Sequence, residues 1–215
     1  MNNSLLNIKN ISKKFEAENV INNFSLNIVS NKIYIVHGQN GTGKSTLLKM
    51  VAGILDPDKG IIKKYNNSIN YIGYSSSNFN AFFHRLKLID NLIFFIKTRG
   101  FSKKESIEKI YALFDKLNLN KDILRKKYAN LSAGEKKKAS IIRALAHEPF
   151  LIVLDEPFVS IDEEFHKSLV NFILSSATND RAFIISTHDF KFLEKFDSLN
   201  IQLLPDAHHI IGNKS

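Results

Sequence analysis

The chain has 215 residues, enough for one large domain or one domain with an insertion. Hydrophobic residues at 44% and charged residues at 24% are ordinary for a soluble globular protein, and the lack of cysteine excludes both a disulfide framework and a thiolate zinc site. The formal charge of +9, from 30 basic and 21 acidic residues, fits an anionic partner (nucleotide, nucleic acid or lipid surface) or a lysine- and asparagine-rich face turned to water. The second is favoured, because no basic run exceeds Lys136-Lys137-Lys138.

The first residues, MNNSLLNIKNISKKF, hold no long apolar run and do not resemble a secretory signal. Nowhere do ~18 consecutive apolar residues occur, about what a spanning helix requires. The longest candidate, Leu86 to Thr98, is broken by Lys87, Asp90, Asn91 and Lys97. A chain that does not cross a membrane by itself, placed in the cytosol, is the expectation.

Apolar and polar residues alternate in Leu5–Ile8 and Phe24–Val29, as in half-exposed antiparallel strands. By contrast Ile33–Val36, Leu151–Leu154 and Phe183–Ile185 are continuously apolar, which suits parallel strands covered on both faces. Between the first two of these lies a helical stretch. Ser102 reads as an N-cap with Glu105 as its capping-box partner, and Ile107, Ile110, Tyr111, Phe114 and Leu117 follow as a core stripe. The chain therefore divides into an α/β core at 1–78 plus 146–215 and a mainly helical subdomain at 79–145. Clusters such as Lys63-Lys64-Tyr65-Asn66-Asn67-Ser68 read as loops.

Straight after the first buried strand comes Gly38-Gln39-Asn40-Gly41-Thr42-Gly43-Lys44-Ser45-Thr46, followed by the apolar helix Leu47–Ile54. It matches G-x-x-x-x-G-K-[ST] in the strand-to-helix context that defines a phosphate loop. The glycines let backbone N–H groups face phosphates, Lys44 neutralises their outer oxygens, and the Ser45 hydroxyl can ligate Mg²⁺. The second buried strand ends in Asp155-Glu156-Pro157. A carboxylate at that end of a parallel strand points into the ligand crevice. Asp155 is suited to holding Mg²⁺ through water, and Glu156 to orienting or deprotonating an attacking water. The third ends in Ser186-Thr187-His188-Asp189, which brings His188 toward the same end of the sheet, where it can hydrogen-bond a developing phosphoryl charge.

Leu131-Ser132-Ala133-Gly134-Glu135 has no catalytic base, yet its glycine turn opens a helix whose free N–H groups suit an anion. With these motifs in this order the chain resembles the ATP-binding cassette (ABC) ATPases over nearly its whole length, LSAGE standing for that family's LSGGQ signature. The resemblance implies an α/β phosphate-loop NTPase core with a mainly parallel sheet, an N-terminal antiparallel β part and a helical insertion. It implies ATP and Mg²⁺ as ligands, and a head-to-tail homodimer or heterodimer in which Ser132 and the Gly134 N–H cap the γ-phosphate of a nucleotide held by the second copy. Phe15 takes the position of the aromatic that stacks on adenine, although as a lone aromatic it fits a core equally well. Asp162 matches the aspartate of the family's D-loop, with Val159 in place of its usual serine.

One position departs from the family's pattern. Ile72-Gly73-Tyr74-Ser75-Ser76-Ser77 puts Ser77 where a glutamine normally touches the metal and the catalytic water. Serine is too short for that contact without loop movement or a bridging water. The resemblance implies an ATPase subunit that powers transport through separate integral-membrane subunits, peripheral on the inner face of the membrane. A cytoplasmic helix of that partner would dock near Phe79, Phe82, Phe83, Leu92, Phe94 and Phe95, although more than half of these are expected in the core. The short chain, LSAGE and Asp90-Asn91-Leu92 resemble small export-type ATPases such as the haem-exporter subunit of cytochrome c maturation. A non-transport ATPase acting on a soluble or nucleic-acid partner is the alternative. A nucleic-acid partner is not expected.

Overall fold

The computed structural model describes residues 3–16, 18–65, 71–76, 81–188, 196–205 and 209–213. Among the described residues, two sheets and five α-helices follow one another in the order expected of an α/β chain with an antiparallel start. Strands β1 (Ser4–Phe15) and β2 (Glu18–Val29) pair antiparallel, and β4 (Lys59–Lys64) joins the other edge of β1. The alternating segments Leu5–Ile8 and Phe24–Val29 are thus parts of longer strands. Leu6, Ile8, Ile11, Phe24 and Ile28 point inward, and the polar residues between them face water.

The second sheet runs β5-β6-β7-β3-β8-β9. Strands β5 (Ile72–Ser75), β6 (Leu151–Asp155), β7 (Ala182–Thr187), β3 (Lys32–His37) and β8 (Ser198–Leu203) are parallel, and β9 (His209–Asn213) closes one edge antiparallel. The continuous apolar runs have a direct cause here. Along β3, Ile33 and Ile35 join a core with the helices, while Tyr34 and Val36 join a second core with β1 and β2. In β6, Ile152 and Leu154 face the helical side and Leu151 and Val153 the other; Phe183 and Ile185 of β7 divide from Ile184 in the same way. Both faces are dry, so period-two polarity has no place in these strands.

Helix α1 (Lys44–Val51) follows β3 and buries Leu47, Leu48, Met50 and Val51 against the antiparallel side. It stops before Ile54, which is exposed. Helices α2 (Leu88–Lys97), α3 (Lys103–Lys116), α4 (Ala133–Leu145) and α5 (Glu163–Ser176) bury residues in the other core. Helix α3 starts as its sequence dictates: Ser102 accepts from the Glu105 N–H and the Ser102 N–H donates to the Glu105 carboxylate. Its stripe is core at Ile110, Phe114 and Leu117, but Tyr111 is exposed, with the Lys121 ammonium 5.5 Å from its ring. A tyrosine at the margin of a stripe keeps its hydroxyl wet.

Asn91 is fully buried at the start of α2. It accepts from the Phe83 N–H at 2.7 Å and donates to the Phe83 and Lys87 carbonyls at 3.0 and 3.2 Å. A buried amide needs such partners, and these pin the segment ahead of the helix. Ser77, Phe79 and Asp189 lie outside the described residues.

Candidate active site

The C-terminal ends of β3, β6 and β7 are neighbours in the parallel sheet, and each releases one part of the site. After β3 the chain turns through Gly38–Gly43, with Gly41 at φ +86° and Gly43 at φ +93°. A side chain at Gly43 would meet Val20 Cγ1 at 2.7 Å and the Val20 carbonyl at 2.9 Å, so the turn requires glycine twice over. Asn40 and Gly41 are exposed, and Thr42, Ser45 and Thr46 are partly so. The loop borders a cleft shared with Glu18, Asn19 and Val20 of β2. Phe15 stands at the other end of the pair Phe15–Glu18 and is 48% exposed, which removes the core alternative for it.

Lys44 opens α1, and its side chain folds back into the loop. Nζ is 2.9 Å from the Gly38 carbonyl and 3.0 Å from the Gln39 carbonyl, and the residue is only 6% exposed. The nearest carboxylate oxygen in an ion pair with it, Glu156 Oε1, is 4.0 Å away. A buried ammonium ringed by carbonyls, with its counter-charge one step too far, fits a site for phosphate oxygens.

At the end of β6 Asp155 is fully buried. Its Oδ1 accepts from the Ser186 hydroxyl at 2.7 Å, and that same hydroxyl accepts from the Glu156 N–H at 2.8 Å. Glu156 has φ 48°, in the left-handed region, and this turn swings its side chain out of the strand. Its second oxygen, Oε2, lies 3.0 Å from His188 Nδ1. An ionised carboxylate only accepts, so Nδ1 carries the hydrogen.

The structure therefore brings Lys44, Asp155, Glu156 and His188 together, as their strand-end positions imply. Ser186 joins them unpredicted: a hydroxyl at the end of the apolar run Ala182–Ile185, beside a second one at Thr187, was its only signal. Lys137 is a second unpredicted member, buried with Nζ 2.8 Å from the Asp155 carbonyl. Burial lowers its pKa to about 8, against the pull of Asp155 and Glu156. No group of three or more His, Cys, Asp or Glu among the described residues is arranged to hold a metal. Mg²⁺ does not need one, since it keeps several waters and takes one or two protein oxygens beside substrate phosphates. A hydroxyl and a carboxylate, the groups that Ser45 and Asp155 carry, fit that chemistry.

Ser132 and Gly134 stand apart. Ser132 caps α4 in a capping box: its hydroxyl accepts from the Glu135 N–H at 3.2 Å, and its N–H donates to Glu135 Oε2 at 2.8 Å. A side chain at Gly134 would lie 2.9 Å from the Ser160 carbonyl. Among the described residues neither is hydrogen-bonded to the phosphate loop of its own chain, and Ser132 is exposed. Asp162 caps α5 by accepting from the Phe165 N–H at 2.9 Å, and it pairs with Lys138.

Comparison with known proteins agrees with this geometry. The family described as ABC transporter matches residues 21–159. The ergothioneine transport ATP-binding protein of Helicobacter pylori is 31% identical over 207 residues, covering 93% of this chain and 97% of that protein. The lipoprotein-releasing system ATP-binding protein of Rickettsia bellii is 32% identical over 216 residues, covering 93% and 95%. In fold, a dimeric bacterial ABC transporter cassette superposes with a TM-score of 0.86 at 21% identity, covering 96% and 98%. The haem-exporter resemblance gains no support from relatives whose names span ergothioneine transport and lipoprotein release. The chain belongs to the ABC transporter family, as an ATP-binding ATPase subunit.

Proposed function

We propose that Gly38–Thr46 binds the phosphates of ATP with Mg²⁺ held by Ser45 and Asp155, and that Glu156 and His188 carry the hydrolytic step. The observation that supports this most is the convergence on one carboxylate: Glu156 has Lys44 on one oxygen and His188 on the other. In that position Glu156 accepts a proton from water attacking the terminal phosphate, while Lys44 meets charge already present on the nucleotide. Mg²⁺ held by Ser45 and Asp155 would supply neutralisation of phosphate charge. His188 steadies the carboxylate through Nδ1 and is assigned a hydrogen bond to the transferring phosphoryl group through Nε2. Phe15 is proposed as the adenine platform; its exposed face and the Lys13 ammonium 5.8 Å from its ring suit a stacked base.

Ser132 and Gly134, which make no hydrogen bond to their own phosphate loop among the described residues, are assigned to the nucleotide of a second cassette in a head-to-tail dimer. No helix among the described residues is long and apolar enough to cross a membrane. The integral-membrane subunits would dock on the helical part, 79–145, and hold the dimer at the inner face of the membrane. Phe83 and Phe94 support that face: they are 48% and 46% exposed and meet edge to face at 5.0 Å. Phe82 and Leu92 are core, and Phe95 is partly buried.

The test is the oligomeric state of Glu156→Gln. This isostere keeps shape and nucleotide contacts but removes the base, so Mg-ATP should accumulate a dimer visible by light scattering. A strict monomer with nucleotide demonstrably bound, at high protein concentration, would refute the shared site.

A further inference from the structure

Lys137 is a buried cation to which the hydrolytic step assigns no task. It lies on α4 one turn beyond the cap at Ser132, is 2% exposed, and donates to the Asp155 carbonyl at 2.8 Å. That carbonyl belongs to the same planar peptide unit as the Glu156 N–H, which donates to Ser186 Oγ at 2.8 Å. The unit is gripped at both ends: by α4 through Lys137, and by β7 through Ser186. Rotating it would rotate the Glu156 backbone, which already sits at φ 48°. The same helix is tied at two further points, with Ser140 Oγ 3.0 Å from Ser75 Oγ at the end of β5 and Lys138 paired with Asp162 at the start of α5.

We infer that Lys137 is a positioning residue that ties the signature helix to the end of the catalytic strand, so that engagement of a second copy's nucleotide at Ser132 is felt at Glu156 of the same chain. The inference rests on the shared-site reading above. A helix is stiff over one turn, and a charge-assisted hydrogen bond in a dry interior is short and directional. A small rotation of α4 on dimer closure therefore moves the Asp155 carbonyl directly. Each cassette thereby aligns its own base only when its signature is occupied, which couples the two sites.

Three variants test this: Lys137→Met removes the donor, Lys137→Arg keeps a cationic donor, and Lys137→Gln keeps a neutral N–H on a shorter arm. For Lys137→Met we expect kcat to fall about tenfold or more with KM for ATP within about threefold, and the Hill coefficient for ATP to drop toward one. Lys137→Arg should recover most of both, and Lys137→Gln should take the place of the Met variant if that one does not fold. Amide exchange in the nucleotide-free monomer is the second readout. Exchange at Glu156 and Phe158 should quicken by about tenfold in Lys137→Met, with residues 38–46 unchanged. Unchanged exchange there, or kcat and KM shifting together at an unaltered Hill coefficient, would overturn the inference. A wild-type protein that fails to hydrolyse ATP would count against the ATPase site instead, and the exchange measurement would still decide on Lys137.

Discussion

His188 Nδ1 stands 3.0 Å from Glu156 Oε2 while the other oxygen of that carboxylate faces Lys44 Nζ at 4.0 Å. The carboxylate is only 18% exposed and the imidazole 56%, so Glu156 is the sheltered member of the pair and His188 the open one. With Nδ1 committed to Glu156, the ring donates to a phosphoryl oxygen only when Nε2 also carries a proton. His188→Ala should lower kcat by about 10²- to 10⁴-fold, the usual span for a lost acid–base partner, with little change in KM. Steady-state rates against ATP concentration check this; equal loss in kcat/KM through KM alone would place His188 in binding instead.

Lys44 and Gly43 separate binding from folding. Lys44→Ala removes an ammonium whose hydrogen bonds are to the loop's own carbonyls, which water can replace near the surface. Fold stability should change little, while ATP affinity falls by about tenfold to more than a hundredfold, the worth of a charged hydrogen bond. Gly43→Ala does the reverse. At φ +93° with Val20 Cγ1 2.7 Å away, it should cost on the order of 2 kcal/mol in stability and distort the loop. Thermal melts with and without nucleotide distinguish the two. A Gly43→Ala protein as stable as wild type would mean that β2 yields at Val20.

The sheet and the phosphate loop were legible because their constraints are local. A strand dry on both faces must be apolar throughout, and a loop that wraps phosphate needs glycine at positive φ, so Ile33–Val36 and Gly38–Lys44 announce themselves. The capping box at Ser102 and Glu105 is equally local. Lys137 and Ser186 were not legible, because their roles come from contacts between distant segments: 2.8 Å from α4 to β6, and 2.7 Å from β7 to β6. In sequence one is a lysine among three, and the other a serine before a threonine. Tyr111 misled for the opposite reason: helical spacing put it at the edge of a stripe, and only the width of the buried face left it outside.

His147 gives the fold an acid limit. It is 5% exposed, packs near Arg99 and Arg143, and its Nε2 lies 3.3 Å from the Ile72 carbonyl. Burial first, and then the Arg99 charge, lower its pKa from 6.5 to about 4. Between those two values the unfolded chain binds a proton that the folded chain refuses, so stability falls as pH drops through that window and is fully present above it. The loss attributable to this group is on the order of 2 to 3 kcal/mol. Urea midpoints at pH 7 and pH 5 should therefore differ more for wild type than for His147→Gln. Parallel shifts in both proteins would assign the acid limb to other groups.

Ser132 has two tasks that one substitution can separate. As the cap of α4 it accepts from the Glu135 N–H, a service that asparagine performs as well as serine. As a hydroxyl it still has a proton to donate, and it is exposed at the helix end where the partner's phosphate is proposed to sit. Ser132→Ala loses both, with about 1 kcal/mol of stability gone from the cap. Ser132→Asn should melt within a degree or two of wild type, since a kept cap changes stability by only a few tenths of a kcal/mol. Its larger side chain nevertheless crowds the anion position. In the Glu156→Gln background, Ser132→Asn should weaken the ATP-driven dimer by about tenfold while leaving nucleotide binding to the monomer unchanged. Sedimentation with Mg-ATP measures the first and equilibrium titration with a fluorescent nucleotide the second. A dimer as tight as that of Glu156→Gln alone would mean that the signature hydroxyl does not meet the partner's nucleotide.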